Sequence, residues 1–259
     1  MSLHSKIVSK DNSLIKQVVR LSSDSKFRQQ EQLAVVYGEH LVEEAISSEL
    51  LDKIFIQEEY YERYEQLLNR CKNIAVYLVN DEVMSKLNVL DSTVNIVATI
   101  KIKPVSINKQ INDVLILENI QDPGNLGTIL RAARASGIDD VVISKNSVDI
   151  YNPKVLRASQ GIQFNLKIIN NANLIEFLSE YDGDVFALTP HADASLYEQD
   201  LTKPCAFVLG NEGNGLSAEI LEYIQHHIRI PMMGSAESLN LAMAATVAMF
   251  EMSRQRLKV

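Results

Sequence analysis

Two segments decide how this 259-residue chain folds: VLILENIQDPGNLG at residues 114–127 and CAFVLGNEGNGLS at residues 205–217. Each begins as a run of apolar residues and passes directly into a turn that contains glycine and asparagine. Continuous apolar strands are typical of a parallel sheet that helices cover on both faces. In such sheets, ligands bind beyond the carboxyl ends of the strands. The two turns are therefore the first candidates for a functional site.

The C-terminal part of the chain repeats this pattern of strand and helix. Further buried strands are predicted at VVIS (141–144), LKII (166–169) and DVFALT (184–189). The helical spacing of apolar side chains predicts helices between the strands, at residues 125–136, 154–161, 173–181 and 217–223. We expect a parallel α/β domain, with no internal repeat.

The N-terminal hundred residues form a smaller α/β pattern. Strands are predicted at residues 33–37, 53–56, 75–79 and 96–102, and helices at 38–48 and 58–70. A Lys-rich passage at 101–110, with Pro104 inside it, breaks the pattern and predicts a domain boundary. The expected domains are therefore 1–104 and 105–259.

The composition bounds the class of protein. Hydrophobic residues make up 46% of the chain and charged residues 22%, which is typical of a globular protein. The longest nearly apolar stretch, 239–250, is shorter than the roughly 20 residues of a membrane helix, and the N-terminus lacks the apolar core of a secretory signal. Two lone cysteines indicate neither a disulfide framework nor a metal site, so we expect a cytoplasmic protein without a metal.

The charge pattern bears on nucleic-acid binding. A formal net charge of −8 argues against nonspecific clamping of nucleic acid, which lysine and arginine bring about. Residues 1–30 nevertheless carry six basic and two acidic side chains, a local balance of +4. This stretch predicts either a basic face for a partner or an ordinary solvated surface.

The turn after residue 120 combines a tight bend with the start of a helix. Pro123 and Gly124 form the bend, and Asn125 is a good residue to cap the helix. Arg131 and Arg134 lie off the apolar stripe, so at least one of them is free to face the sheet edge or a partner. The segment departs from the GxGxxG fingerprint, which argues against a dinucleotide-binding dehydrogenase, and an ordinary turn stays an alternative.

The turn after residue 209 holds three glycines within six residues, which allows close approach of the backbone to a ligand. Glu212 lies among them and would repel a phosphate, so a cationic or neutral ligand fits better, with an ordinary glycine-rich turn as the alternative. His226 and His227 are interpreted as surface residues, and His191, past a strand end, has a possible role in a site.

A third segment runs from Ile228 through a proline and a loop of small residues to a helix that Ser238 is predicted to cap. This helix has no polar face before Glu251, so it must be covered on all sides. Core packing and a subunit interface both satisfy that requirement.

In this order, the three segments resemble the three motifs of the SpoU/TrmH branch of the SPOUT methyltransferases. These enzymes transfer a methyl group from S-adenosylmethionine to a ribose 2′-hydroxyl in RNA. The resemblance spans residues 114–256. The N-terminal part, with IVSKDNSLIKQVVRL at 7–21 and YGEHLVEEAI at 37–46, is similar to the family's substrate-binding domain, which resembles RNA-binding ribosomal proteins.

The resemblance implies a parallel sheet with a deep trefoil knot around residues 210–238, where the cofactor binds, and a homodimer. The family's cofactor contacts carry over to eight positions: Thr189, Leu209, Gly210, Asn211, Gly215, Ile230, Met232 and Leu239. Its active-site positions carry over to five: Asn125, Arg131, Glu212, Ser238 and Asn240. Ala242 replaces a serine common among relatives, which affects the expectation for the substrate rather than for the chemistry.

The resemblance also frames a mechanism. Free arginine titrates above about 12, which argues against Arg131 as the general base. We expect Arg131 to hold an RNA phosphate and the developing oxyanion, Asn125 to position the ribose, and Glu212 to orient Arg131 or Asn125. The expected substrate is 23S ribosomal RNA. The alternatives are transfer RNA and a non-catalytic RNA-binding protein of the same fold.

Overall fold

The computed structural model describes residues 2–71, 73–90, 93–103 and 112–257. Most of the passage predicted as the domain boundary, 104–110, lies outside these residues. In the described part of the chain, no helix is long and apolar enough to cross a membrane.

The described residues form twelve strands and ten α-helices. The strands are β1 (Ser2–Ile7), β2 (Leu33–Tyr37), β3 (Leu51–Gln57), β4 (Ala75–Val79), β5 (Ile96–Lys101), β6 (Val114–Leu117), β7 (Asp140–Ser144), β8 (Lys167–Ala172), β9 (Asp184–Leu188), β10 (Ala194–Ser195), β11 (Cys205–Leu209) and β12 (His226–Arg229). The helices are α1 (Ser13–Ser23), α2 (Ser25–Glu31), α3 (Glu39–Ser47), α4 (Glu65–Asn69), α5 (Asp81–Leu87), α6 (Pro123–Ser136), α7 (Pro153–Ser159), α8 (Leu174–Ser179), α9 (Ala218–Tyr223) and α10 (Leu241–Arg256).

The chain divides into two compact units. The first contains the described residues of 1–104 together with 151–164, and the second contains those of 105–150 and 165–259. Helix α7 therefore packs with the first unit. Leu156 of α7 is fully buried in the same core cluster as Leu41 and Val42 of α3.

The first unit is built on a mixed five-stranded sheet in the order β1-β4-β3-β5-β2. Strands β1, β4 and β3 run parallel, whereas β5 pairs antiparallel with β3 and β2. The predicted strands at 33–37 and 75–79 agree with β2 and β4. No strand was predicted at β1, because its sequence SLHSKI carries no run of apolar residues and its position at the sheet edge depends on pairing with β4.

The predicted helix at 58–70 is wrong in its first half. Two 3-10 turns, Glu58–Tyr60 and Glu62–Tyr64, precede the short helix α4. Tyrosine is a weaker helix former than alanine or leucine, and burial of Tyr64 together with Leu67 and Leu68 stabilises the shorter helix through tertiary packing.

The second unit is an all-parallel seven-stranded sheet in the order β10-β12-β9-β11-β6-β7-β8. From β6 the chain proceeds outward to β7 and β8, and it then crosses to build the other side of the sheet. The strand order therefore reverses between β6 and β11. A crevice opens at such a switch point, beyond the carboxyl ends of the strands.

Helices cover the sheet of the second unit. Helices α8 and α9 pack in one core cluster with strand side chains such as Val114, Ile116 and Val208. Strand side chains alternate between faces, so Leu115 and Phe207 point to the opposite face. Helix α10 contacts α6 and β11.

The prediction that α10 is covered on all sides is only half met within one chain. One face of α10 is buried and includes Ala245, Ala248 and Met249. Met243 and Phe250 are 57% and 46% exposed. The helix thus presents large apolar side chains at the surface of the single chain.

Candidate active site

The candidate site lies at the switch point between β6 and β11. The last residues of the two strands, Leu117 and Leu209, pair in the sheet, and the backbone N–H of Glu118 donates to the Leu209 carbonyl at 2.8 Å. The two loops that follow therefore start side by side. Asn211 joins them, since its side-chain amide donates to the Asn119 carbonyl at 2.9 Å.

The glycine-rich loop after β11 is closed by its own backbone. Asn211 and Gly215 exchange two N–H···O bonds of 2.9 Å each, and the Asn211 side-chain oxygen accepts from the backbone N–H of Gly213 at 2.9 Å. Gly215 has a φ of +69°, a conformation that residues with a Cβ adopt at a cost. At Gly210, an added Cβ would lie 2.2 Å from the carbonyl carbon and oxygen of Gly215. The loop geometry therefore requires glycine at position 210.

The Glu212 carboxylate accepts hydrogen bonds from both loops. It accepts from the backbone N–H groups of Gln121 at 3.2 Å and Asp122 at 3.0 Å. It also accepts from the side-chain amides of Asn125 at 3.3 Å and Asn211 at 3.4 Å. A single carboxylate thus connects residues some ninety positions apart in sequence.

The hydrogen bonds keep the Glu212 carboxylate ionised. Partial burial acts to raise its pKa, but the backbone N–H groups of Asp122, Glu212 itself and Gln121, with the Asn125 amide, together hold the pKa below its ordinary value. The site therefore carries a fixed negative charge at neutral pH. A negative charge at this position disfavours a phosphate and favours a cationic or neutral ligand.

Asn125 and Asn240 extend this network. The Asn240 side-chain amide donates to the Asn125 side-chain oxygen at 3.0 Å. Because Asn125 in turn donates to Glu212, its amide has a single orientation that both neighbours enforce. Three of the five predicted active-site residues, Asn125, Glu212 and Asn240, therefore form one hydrogen-bonded chain.

Two predicted helix caps are wrong. Asp122, rather than Asn125, caps α6, because its carboxylate accepts from the Asn125 backbone N–H at 2.7 Å. Asn240, rather than Ser238, caps α10 through bonds from the backbone N–H groups of Ala242 and Met243. In both cases the residue directly before the first helical residue is the N-cap. The Asn125 side chain is therefore not used for capping and can donate to Glu212.

The double role of Asn240 yields a testable prediction. Asn240→Ala is expected to lower the free energy of unfolding by about 1 kcal/mol, because α10 loses its cap. Asn240→Asp retains a capping oxygen but removes the donor to Asn125. We therefore expect Asn240→Asp to keep the thermal stability, while both variants lose the methyl-transfer activity that the resemblance implies. Equal activity of Asn240→Asp and wild type, measured beside thermal unfolding, would contradict the link to Asn125.

A cavity of about 460 Å³ lies beside this network. All eight predicted cofactor-binding residues line it: Thr189, Leu209, Gly210, Asn211, Gly215, Ile230, Met232 and Leu239. Glu212 and Ser238 also line it, as do His191 and Glu237. The structure therefore brings residues from β9, β11 and the segment after β12 around one space, whose size falls within the roughly 300–1,000 Å³ of small-ligand sites.

Arg131 lies apart from this network. It is exposed on α6, and in the described part of the chain no hydrogen bond or ion pair involves its guanidinium. Arg134, by contrast, pairs with Asp139. Glu212 was expected to orient either Arg131 or Asn125. Among the described residues, Asn125 donates a hydrogen bond to Glu212, whereas Arg131 does not.

Gln121 is a site residue that the sequence analysis missed. Its side-chain amide donates to the Asn119 side-chain oxygen at 2.8 Å and to the Asn146 carbonyl at 2.6 Å. It thereby ties the loop after β6 to the loop after β7, while its backbone N–H holds Glu212. Its position directly before the Asp122 turn was the available signal.

The fold neutralises part of the basic N-terminal stretch. Its cations pair with carboxylates in the first unit: Lys6 with Glu58, Lys10 with Glu82, Lys16 with Asp11, and Arg20 with Asp24. Arg28 is buried and donates to the Leu21 carbonyl at 2.6 Å. The +4 balance already counts Asp11 and Asp24, so the fold adds only Glu58 and Glu82 as partners and lowers the balance to +2.

Comparison with known proteins relates this chain to RNA methyltransferases. It is 35% identical to an uncharacterized tRNA/rRNA methyltransferase of Synechocystis over 96% of this chain and 94% of the relative. It is 31% identical to the 23S rRNA (guanosine(2553)-2′-O)-methyltransferase RlmP of Bacillus subtilis, over 84% of this chain and 87% of that protein. The crystal structure of the AdoMet-bound rRNA methyltransferase from Sinorhizobium meliloti superposes with a TM-score of 0.85 at 26% identity, covering 98% of both chains.

Family models match both parts of the chain. The SpoU rRNA Methylase family matches residues 112–250, and the MRM3-like substrate binding domain matches residues 12–98. The second unit is thus a parallel α/β domain with a ligand cavity and a polar network at its switch point. The chain belongs to the SpoU rRNA methylase family, as its three motifs predicted.

Proposed function

We propose that this protein transfers a methyl group from S-adenosylmethionine to a ribose 2′-hydroxyl of 23S ribosomal RNA in the cytoplasm. The observation that carries the proposal is the hydrogen-bonded chain of Glu212, Asn125 and Asn240 at the edge of the cavity. The name of the Bacillus subtilis relative supports the choice of 23S ribosomal RNA.

The cavity suits S-adenosylmethionine in size and in chemistry. Gly210, Gly213 and Gly215 line the cavity without side chains, so a ligand can approach the backbone of this loop closely. Glu212 places a negative charge in the wall, which favours a cationic ligand. When bound, the cofactor supplies a methyl group on a positively charged sulfur.

The residues of the network act by orientation in this proposal. Glu212 and Asn240 fix the Asn125 amide, and Asn125 positions the ribose hydroxyl for in-line attack. Orientation of the reacting groups lowers a reaction barrier by several kcal/mol, and by up to roughly 7–11 kcal/mol when the geometry is ideal. Arg131 is exposed and uncommitted to a protein partner in the described chain, which suits a contact to an RNA phosphate.

Three features of the architecture complete the proposal. We assign RNA binding to the N-terminal domain, 1–104, and methyl transfer to 105–259. The segment around 210–238 forms a deep trefoil knot. A homodimer covers the apolar side chains of α10, since Met243 and Phe250 are exposed in the single chain.

The test is methyl incorporation from labelled S-adenosylmethionine into RNA from a strain that lacks the gene, followed by mapping of ribose methylation. We expect one methylated nucleotide in 23S ribosomal RNA. Incorporation into transfer RNA alone would identify transfer RNA, rather than 23S ribosomal RNA, as the substrate. Cofactor-independent RNA binding without incorporation would support a non-catalytic RNA-binding protein.

Arg131→Lys tests the proposed phosphate contact. Lysine keeps the charge but lacks the planar two-pronged donor set, so we expect a drop in methyl-transfer rate of about tenfold or more. Arg134→Lys is the matched control, because Arg134 lies on the same helix as Arg131 but pairs with Asp139. A rate for Arg131→Lys within about threefold of wild type would contradict a bidentate grip.

A further inference from the structure

A second cavity, of about 370 Å³, lies on the other side of β6. Its walls come from the loops after β6 and β7, from the end of β8 with the start of α8, and from α9. None of the predicted site residues lines it. Its polar walls include Glu118, Asn119, Lys145, Asn146 and Glu219, and its apolar walls include Ala172, Leu174, Ile175 and Ile220.

The second cavity shares a wall with the first. Asn119 lines it, and the Asn119 carbonyl accepts from Asn211, which lines the first cavity. Glu118 lines it as well, and its carboxylate accepts from the backbone N–H of Ser217 at 2.8 Å. The loop at 118–121 therefore separates the two spaces, so a ligand in the second cavity would lie next to the methyl-transfer network.

Several side chains in this cavity are free to bind a ligand. In the described part of the chain, no hydrogen bond or ion pair involves the side chains of Lys145, Asn146 or Glu219. Glu118 uses one carboxylate oxygen for Ser217, which leaves the other available. The Asn119 and Asn146 backbones have φ values of +54° and +65°.

The lining favours a nucleobase over a phosphate. Two carboxylates, Glu118 and Glu219, oppose a bound anion, whereas the partly exposed apolar side chains of Ala172 and Ile175 offer a surface for a flat ring. Unstacked RNA bases are recognised in this manner, by contact of the ring face and hydrogen bonds to the Watson–Crick edge. Carboxylates accept hydrogen bonds, and a lysine donates one.

Guanine matches this set of groups best among the four bases. Its Watson–Crick edge presents two adjacent donors, N1–H and the N2 amino group, beside the O6 acceptor. A carboxylate accepts from the two donors together, and an ammonium group donates to O6. Adenine and cytosine each present one donor group on this edge, and uracil presents one N–H.

We propose that the second cavity binds an unstacked guanine of the RNA substrate, with Glu219 accepting from its N1–H and N2 amino groups and Lys145 donating to O6. This inference rests on the proposed function for the presence of RNA. The guanine is held beside the loop at 118–121, so its binding helps to bring the ribose toward Asn125.

The test is a titration of the full-length, isotope-labelled protein with GMP, AMP, CMP and UMP, followed by backbone amide NMR. The four nucleotides carry the same phosphate, so binding through phosphate would give the same response for all. We expect saturable shifts with GMP at residues 145–146, 173–175 and 219–220. Similar shifts with all four nucleotides, or GMP shifts only elsewhere, would overturn the proposal.

Two substitutions on α9 test whether Glu219 itself contacts the nucleotide. Glu219→Gln replaces an acceptor with an amide and is expected to weaken GMP binding about tenfold. Glu222→Gln lies on the same helix outside the cavity and is expected to leave binding unchanged. An equal loss in both variants would contradict the assigned contact.

Methylation assays separate this proposal from the proposed function. Glu219→Gln should raise the KM for RNA without changing kcat or the dissociation constant of S-adenosylmethionine. Specific GMP binding in a protein that transfers no methyl group would refute the proposed function alone. Normal methyl transfer without GMP binding at this cavity would refute the guanine site alone.

Discussion

Glu212→Gln is expected to slow methyl transfer by about 100-fold or more while the protein still folds and binds S-adenosylmethionine. Glutamine has the same size, but its amide group would place N–H donors against the donors of Gln121, Asp122 and Asn125. Asp122 and Asn125 donate to one carboxylate oxygen, and Gln121 and Asn211 donate to the other, so the amide nitrogen of glutamine must open one of these two pairs. Either loss weakens the connection between the two loops that positions Asn125. Single-turnover methylation measures the rate, and calorimetry measures cofactor affinity.

Glu237→Gln provides the matched control for this substitution. Glu237 lines the same cavity, and no hydrogen bond or ion pair holds its side chain in the described chain. We expect its rate to stay within about twofold of wild type. A similar loss in both variants would mean that the charge of the cavity, rather than the orientation of Asn125, determines the rate.

The pH dependence of unfolding gives an independent check of Glu212. The pKa of its carboxyl is lowered in the folded protein below the ordinary value of 4.5. The ionised group therefore stabilises the fold fully above pH 4.5, and this contribution is lost as the pH falls through the folded-state pKa. The difference in unfolding free energy between wild type and Glu212→Gln should be constant at neutral pH and shrink in acid. A difference that grows in acid would contradict the assigned hydrogen bonds.

Gly210→Ala is expected to weaken S-adenosylmethionine binding by about 5- to 150-fold, which corresponds to the roughly 1–3 kcal/mol cost of overpacking. The added Cβ would lie 2.2 Å from Gly215 and 2.3 Å from the Leu216 nitrogen, both backbone contacts that no rotamer change relieves. The loop must move, and it forms the cavity wall. Isothermal titration with S-adenosylmethionine and thermal unfolding measure the two effects.

Gly213→Ala, three residues further in the same loop, is the control. Its added Cβ would lie 3.6 Å from the Asn211 side-chain oxygen, an ordinary contact. We expect cofactor affinity within about twofold of wild type. Unchanged affinity in Gly210→Ala would show that this loop does not shape the cofactor site.

Local sequence patterns predicted most of the second unit. The strands β7, β9 and β11 are apolar runs next to turn residues, and their predicted positions agree with the structure to within one residue. The strand predicted as VLILENI, 114–120, is shorter than predicted, because β6 ends at Leu117. The burial of these strands on both faces is a property of the residues themselves. The helix predicted at 217–223 agrees with α9, which begins at Ala218 and is capped by Ser217.

Other features depended on contacts that the local pattern does not contain. β1 exists through its pairing with β4, and α7 packs with Leu41 and Val42 although more than a hundred residues separate them. The pairing of Lys6 with Glu58 and of Lys10 with Glu82 also follows from the fold. Charge counted along the chain could not reveal this neutralisation.

The sequence by itself determined the family, the parallel α/β class of the second unit, and the residue types of the site. The motifs contain the residue types that the site uses: glycine at 210, a carboxylate at 212, and amides at 125 and 240. The tertiary structure decided that the Glu212 carboxylate binds Asn125 rather than Arg131, and that Asn240 holds Asn125 in turn. The physical reason is sheet order: β6 and β11 become neighbours only through crossovers of the whole domain, and hydrogen bonds between their loops form only when that order is complete.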